Sequence, residues 1–436
     1  MAFTRRSGKI SLGLLVIAGT LFAMSLSVAA APTVRVLQTK YWVEELNEYL
    51  KGLAEEWGRK NGVDVDYTIV SESEYYTKFA MITEAQKGTD IIMYAHENGV
   101  LAQEAMLDVS DLAEELQGKL GLYPAGQIDY VYTGERWIGI PMWEVLHAVY
   151  FRSDWFAEAG LPTKIPFYWT YDQMLNYSLK ITDPSKGRWG GGMVLSTCPD
   201  AQGFQQGAIW NFGGSLWTRD GKTVTIDSVE SLNAVKWLKD FYTKTSPPGI
   251  AGWNCGTNNQ AFLAHKVGMT ENAPSIYAAA LKEQPELAEV IEFAMHPFGP
   301  NGSNFDTAES WGWMILKSTK YPDEAKDLIR YMSQKEHLIE LFTVARGGLY
   351  PATMNPEFFD LPVFPKKMAP FANTIKYGTG KTFAWPARIT RPLAEIISSD
   401  LVAKHITNVV LGKRTPKQAL EDAQKEYEQI IARYAK

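Results

Sequence analysis

The sequence predicts an α/β protein of two lobes built on mostly parallel sheets, and three observations lead there. Residues 34–94 alternate β-α-β-α-β, and a second apolar pattern starts near Gly139. The chain has 436 residues, enough for two or three domains at roughly 100 to 200 each, with no repeat and no long Pro/Ser linker to separate them.

The elements follow in order. Val34-Arg35-Val36 alternates as a strand does, and Val43, Leu46, Leu50, Leu53 and Trp57 recur at helical steps until Gly62 ends the helix. Val63, Val65, Tyr67 and Ile69 alternate again. Ser71 and Glu74 form an S-x-x-E capping box ahead of Phe79, Ile82 and Ala85, and Gly88 precedes the apolar run Asp90 to Tyr94. Right-handed crossovers then make a parallel sheet whose ligands bind beyond the carboxyl ends of its strands. Lys40-Tyr41-Trp42, Ser71 to Glu74 and Tyr94 to Glu97 meet there. The second pattern runs from Gly139-Ile140-Pro141 through Val145 to Phe151, and marks the passage into the second lobe. Gly187 to Gly192 lacks phosphate-loop spacing and reads as a turn. Thr415-Pro416-Lys417-Gln418 is an N-cap, a proline at the first helical position and a capping-box partner, opening a packed terminal helix.

With 46% hydrophobic and 21% charged residues, disorder is excluded. Arg5, Arg6 and Lys9 form a positive n-region, Ile10 to Val28 is uncharged and mostly apolar, and Val28-Ala29-Ala30 offers small residues to a signal peptidase. Residues 1–30 are therefore expected to be a signal peptide cut after Ala30, although Ile10 to Ala31 is also long enough to anchor in a bilayer. Losing those three cations takes the formal charge from −6 to −9, which argues against nucleic acid as a partner. Cys198 and Cys255 either pair, in an oxidising compartment, or remain thiols; spacing does not decide. The six histidines show no metal-ligand spacing, so neither metal nor cofactor is expected.

Catalytic signatures are missing. Gly378-Thr379-Gly380-Lys381-Thr382 has Ile375 where a phosphate loop needs glycine, no G-x-S-x-G occurs, and the adjacent acidic pairs diverge on helices. What the chain offers is aromatic rings at strand ends and loops: Trp42, Tyr94, Trp143, Trp210, Trp253 and Trp311, among 14 tryptophans. Glu72, Glu97, Gln205, Asn254 and Glu309 are polar partners near them. Flat rings cover the CH-rich face of a sugar while carboxylates and amides bond its hydroxyls. The same mixture suits an amine or quaternary ammonium, and a glycoside hydrolase needs only two well-placed carboxyls.

The order of motifs resembles the extracellular solute-binding proteins of ATP-driven (ABC) importers, the maltose-binding-like group, over essentially the whole chain after the leader. Asp90-Ile91-Ile92-Met93-Tyr94-Ala95-His96-Glu97 is similar to that group's third-strand segment, and Ile140 to Asp154 to its first interlobe crossing. Asn211-Phe212-Gly213-Gly214, Gly268 to Pro274, Ser310-Trp311-Gly312-Trp313 and Ala419 to Gln424 follow suit. The resemblance implies a two-lobe periplasmic-binding-protein fold of type II, with residues 31–142 and 307–375 in one lobe and 143–306 and 376–436 in the other. It implies a monomer that captures a sugar, oligosaccharide or polyol by hinge closure and delivers it to permease subunits, without catalysis. Tyr94 and Glu97 fall on the group's aromatic and acidic ligand positions, Lys40, Tyr41 and Trp42 on its first-strand loop, and Glu271 on its second-lobe strand. Pro274-Ser275 stands where the maltose-type motif has Pro-Trp, so maltose is not the expected solute.

Overall fold

A computed structural model describes residues 1–2 and 31–435, apart from the side chains of Glu72 and Ser73. The expected signal segment and its cut after Ala30 lie in the stretch 3–30, outside the described residues.

The strands are β1 (Thr33–Thr39), β2 (Asp64–Val70), β3 (Ile91–Ala95), β4 (Ile140–Leu146), β5 (Ala148–Arg152) and β6 (Trp189–Gly191). They continue with β7 (Val267–Asn272), β8 (Ile291–Ala294), β9 (Asp306–Ile315), β10 (Tyr350–Pro351) and β11 (Gly380–Lys381). Seven form one sheet in the order β10-β4-β9-β3-β1-β2, with β11 beside the start of β9, and four form a second in the order β6-β7-β5-β8.

The opening β-α-β-α-β unit forms as its pattern predicts. In register, Val36 lies between Tyr67 of β2 and Ile91 of β3, both parallel. The helix Glu44–Asn61 buries Leu46, Leu50, Leu53 and Trp57 on one face, each leucine contributing about 1.5–3 kcal/mol, and stops at Gly62, whose φ of 66° only glycine adopts freely. The capping boxes at Ser71/Glu74 and Thr415/Gln418 are both formed, and the terminal helix Pro416–Tyr434 buries Leu420, Ala423, Tyr427 and Ile430.

Three expectations are corrected. Both sheets are mixed, not mostly parallel: β9 returns from the second lobe and inserts antiparallel between β3 and β4, and β5 is antiparallel to both its neighbours. A strand entering from the other lobe needs no crossover helix, so nothing forces it parallel. The first crossing falls at His147 and not between residues 142 and 143, because Trp143 to Leu146 still pair with β9. Likewise β11 keeps the chain beside β9 at residues 380–381, past the expected limit at 375. Finally, the glycine run 187–192 is a turn only at Gly187; β6 follows and pairs with β7. A Cβ at Gly190 would stand 1.9 Å from the Ser178 carbonyl oxygen, so the glycines let this strand press against the helix Tyr171–Ile181.

Cys198 and Cys255 are disulfide-bonded, with Cα atoms 6.1 Å apart. Among the described residues no helix is long and apolar enough to cross a membrane.

Candidate binding cleft

The carboxyl ends of β1 and β3, with the facing parts of β4 and β9, form one wall of a narrow cleft of about 60 Å³. Lys40, Tyr41, Trp42, His96, Glu309 and Trp311 line that wall, Val145 and His147 the floor, and Pro199, Asp200, Asn259, Asn272 and Ser275 of the second lobe face them. The walls differ in chemistry. On the first, Tyr41 stands edge-on to Trp311, ring centroids 5.9 Å apart, and its hydroxyl donates to the Gly348 carbonyl at 3.1 Å. Trp42 is 60% exposed at the mouth, where a Cβ on Gly256 of the opposite lobe would touch its ring.

The second wall is a ring of amides and hydroxyls. Asn272 Nδ2 donates to Asn259 Oδ1 at 2.7 Å and to Asp200 Oδ2 at 3.3 Å. Asn259 Nδ2 donates to Ser275 Oγ at 3.2 Å, and Ser275 Oγ donates to Asn272 Oδ1 at 3.1 Å. The disulfide ties the segment carrying Pro199 and Asp200 to the loop that leads to Asn259, fixing the two halves of this wall. A second recess shares His96 and Pro199 with the cleft and reaches Glu97, Gln202 and Asp400. His96 holds φ at 55° at the turn after β3, a left-handed conformation that histidine tolerates better than most residues with a Cβ.

Burial governs the charges. It pushes the Glu309 carboxyl up to about 8, with His147 opposing, and the Glu97 carboxyl up to about 8, so both hold protons at neutral pH. It also presses His96 down to about 3, leaving a neutral ring. His147 behaves oppositely: burial disfavours its charge, but Glu271 Oε1, 2.7 Å from Nδ1, holds its pKa well above the usual value. Burial would raise Glu271, yet His147 and His296 bring it down to about 2.

A family model for bacterial extracellular solute-binding proteins matches residues 43–337, about two thirds of the chain. The chain belongs to this family. It is similar to YcjN of Escherichia coli, whose name places it among ABC transporter periplasmic-binding proteins, with 22% identity over 86% of each chain. An erythritol/L-threitol-binding protein of Mycolicibacterium smegmatis is 22% identical over 76% of this chain and 72% of its own. Among solved structures, an ABC transporter solute-binding protein of Thermotoga lettingae bound with α-D-tagatose superposes with a TM-score of 0.79 at 19% identity. That likeness covers 92% of this chain and 100% of the other.

In this binding protein Lys40, Tyr41, Trp42, Glu309 and Trp311 stand on the cleft and Glu97 on the adjoining recess. Lys40 is paired with Glu44 at 2.7 Å. Glu271 lies just behind the floor against His147. Glu72 opens the helix Glu72–Ala85, and its side chain lies outside the described residues. The remaining expected residues are elsewhere. Tyr94 is buried inside the sheet, its hydroxyl 2.7 Å from Ser310 Oγ, because β3 is a central strand covered on both faces. Trp143 is fully buried and supports Tyr41 from behind, rings 6.5 Å apart, and Trp210 packs edge-on to Trp385 inside the protein. Gln205 spends its amide on the Leu195 carbonyl and the Tyr242 hydroxyl. Trp253 is half-buried, its carbonyl accepting from Ser196, and Asn254 Oδ1 caps the turn at Gly256 and Thr257. Sequence reasoning missed His96, His147, Asp200, Asn259, Asn272 and Ser275. Of these, His96 lies inside the strand-end segment Tyr94 to Glu97 that the sequence brings to the crevice, without its ring being singled out, and Asn272 sits at the carboxyl end of β7, where the same rule applies.

Proposed function

We propose that this protein is the periplasmic solute-binding component of an ABC importer, capturing a sugar, short oligosaccharide or polyol between its lobes and handing it to the permease subunits. One observation carries the reading: aromatic edges and faces at Tyr41, Trp42 and Trp311 oppose the amide and hydroxyl ring of Asp200, Asn259, Asn272 and Ser275 across a single cleft. Rings cover CH groups, and that polar wall satisfies hydroxyls in both directions. Glu309 and Glu97, protonated at neutral pH, donate as well as accept, which suits a neutral polyhydroxy solute better than a cation. The names of similar proteins, an erythritol/L-threitol binder and a tagatose-bound structure, support the same class. The protein is exported behind a signal peptide cut after Ala30 and acts as a monomer, by capture and release rather than bond chemistry, with no cofactor.

A thermal-shift screen of the purified protein against sugars, polyols, amino acids and quaternary amines tests this. A solute at 100 times its Kd adds about 2.7 kcal/mol of stability, a clear rise in Tm. Shifts confined to amines would overturn the solute class, and hydrolysis of glycosides on incubation would overturn the non-catalytic reading.

A further inference from the structure

At and behind the cleft floor lies a group of side chains of which only His147 lines the cleft itself. His147 is the single residue between β4 and β5, where the chain first crosses between the sheets. His296 follows β8 and Asp306 begins β9, at the two ends of the return crossing, and Glu271 comes from β7. All four are buried. His147 Nδ1 is 2.7 Å from Glu271 Oε1, while His296 Nε2 is 3.5 Å from Glu271 Oε1 and 3.2 Å from Asp306 Oδ1. Donor atoms of His147, Glu271 and Asp306 all lie within 4.8 Å of one another. His147 Nδ1 and Glu271 Oε1 are in direct contact, whereas neither ring nitrogen of the wholly buried His296 has an aligned hydrogen bond, although its Nε2 faces two carboxylates. A buried imidazole left in that state is rare in a native core.

We propose that His147, Glu271, His296 and Asp306 form a binding site for one divalent transition cation of the zinc class, placed at the hinge between the lobes. Imidazole nitrogens and carboxylate oxygens both ligate zinc, at about 2.0–2.2 Å from the ion, and a tetrahedral arrangement sets neighbouring donors roughly 3.3–3.5 Å apart. The His296 contacts already have that spacing, and the His147–Glu271 contact has to open by under an ångström. On binding, the cation replaces the proton shared by His147 and Glu271, and the two imidazoles and two carboxylates then carry −2, which a divalent cation cancels. Calcium and magnesium prefer oxygen donors throughout, and with nitrogens making half the set they are disfavoured. Glu309 Oε1 lies 3.8 Å from His147 Nε2, the ring nitrogen turned away from Glu271. With four protein ligands and no open position, the role is structural: the ion pins His147 of one crossing to His296 and Asp306 of the other, the segments that lobe movement has to bend. This site is independent of which solute occupies the cleft.

The test is titration of chelator-treated, purified protein with zinc chloride, read by native mass spectrometry and by Tm, in parallel with cobalt chloride read by its visible absorption. The expected result is one equivalent of zinc bound, a raised Tm, and the intense visible bands of four-coordinate cobalt. His296→Gln and Asp306→Asn should each weaken binding by roughly 100-fold or more, whereas His405→Gln, remote from the site, should leave it intact. No bound equivalent, or one that survives both site variants, overturns the proposal. Should the variants fail to fold, the wild-type cobalt spectrum decides: six-coordinate, pale bands or none would refute a four-ligand site.

Discussion

Glu144→Gln isolates the free energy of one buried acid. Glu144 lies on β4, paired in register with Ser310 and Tyr350, almost wholly buried, and its Oε2 makes no hydrogen bond. Burial pushes its carboxyl from 4.5 up to about 8, with Gln127 pulling the other way. Between those pH values the unfolded chain has released this proton and the folded chain still holds it. Folding therefore takes up a proton, and stability is greatest below pH 4.5 and falls as pH rises toward 8, by about 1.4 kcal/mol per pH unit. From pH 5 to 8 that amounts to about 4 kcal/mol. A melting entropy of about 2.1 cal/mol/K per residue, over roughly 400 residues, is about 0.8 kcal/mol/K, so Tm moves by about 5 °C. Glutamine mimics the protonated acid and cannot ionise. Differential scanning calorimetry of both proteins at pH 5, 6, 7 and 8 should show the Tm of the variant gaining about 5 °C on the wild type across the range. A Tm difference that stays constant with pH would refute the reasoning, whatever the slope contributed by Glu97 and Glu309, which both proteins share.

Trp42→Ala removes a ring that is mostly exposed at the cleft mouth, so unfolding free energy should hold within about 0.5 kcal/mol while solute affinity, measured calorimetrically, drops by about 5- to 150-fold (about 1–3 kcal/mol). Tyr94→Phe deletes the hydrogen bond to Ser310 and should cost about 1 kcal/mol of stability with affinity unchanged; a clear affinity loss would return Tyr94 to the site. Replacing Cys198 and Cys255 together by serine opens a loop of about 58 residues, which should cost about 4 kcal/mol, and should weaken solute binding because the second-lobe wall loses its tie. Equal affinity in the serine variant would show that the wall is held by its own hydrogen bonds.

Much of the local structure is legible in the sequence because it is decided over a few residues. Gly62 stops the first helix since that position needs positive φ, and Ser71/Glu74 and Thr415/Gln418 start helices through bonds spanning three residues. The β-α-β-α-β alternation follows from hydrophobic period alone, and it brings Lys40, Tyr41, Trp42 and Glu97 to strand ends, where the cleft forms. Which of the other aromatic residues meet solvent is not written there. Every residue of β3, β4 and β9 is buried, so these strands carry no alternation that tells the cleft from the core, and Tyr94 and Trp143 read the same as Trp311 until their neighbours are known. The antiparallel insertion of β9 decided that, setting Gly312 opposite Tyr94 in register and Ser310 Oγ at its hydroxyl, while bringing Glu309 and Trp311 to the cleft. The hinge cluster is the extreme case: His147, Glu271, His296 and Asp306 have no motif spacing because they meet only where the two crossings pass each other, an arrangement the fold creates and local pattern cannot encode.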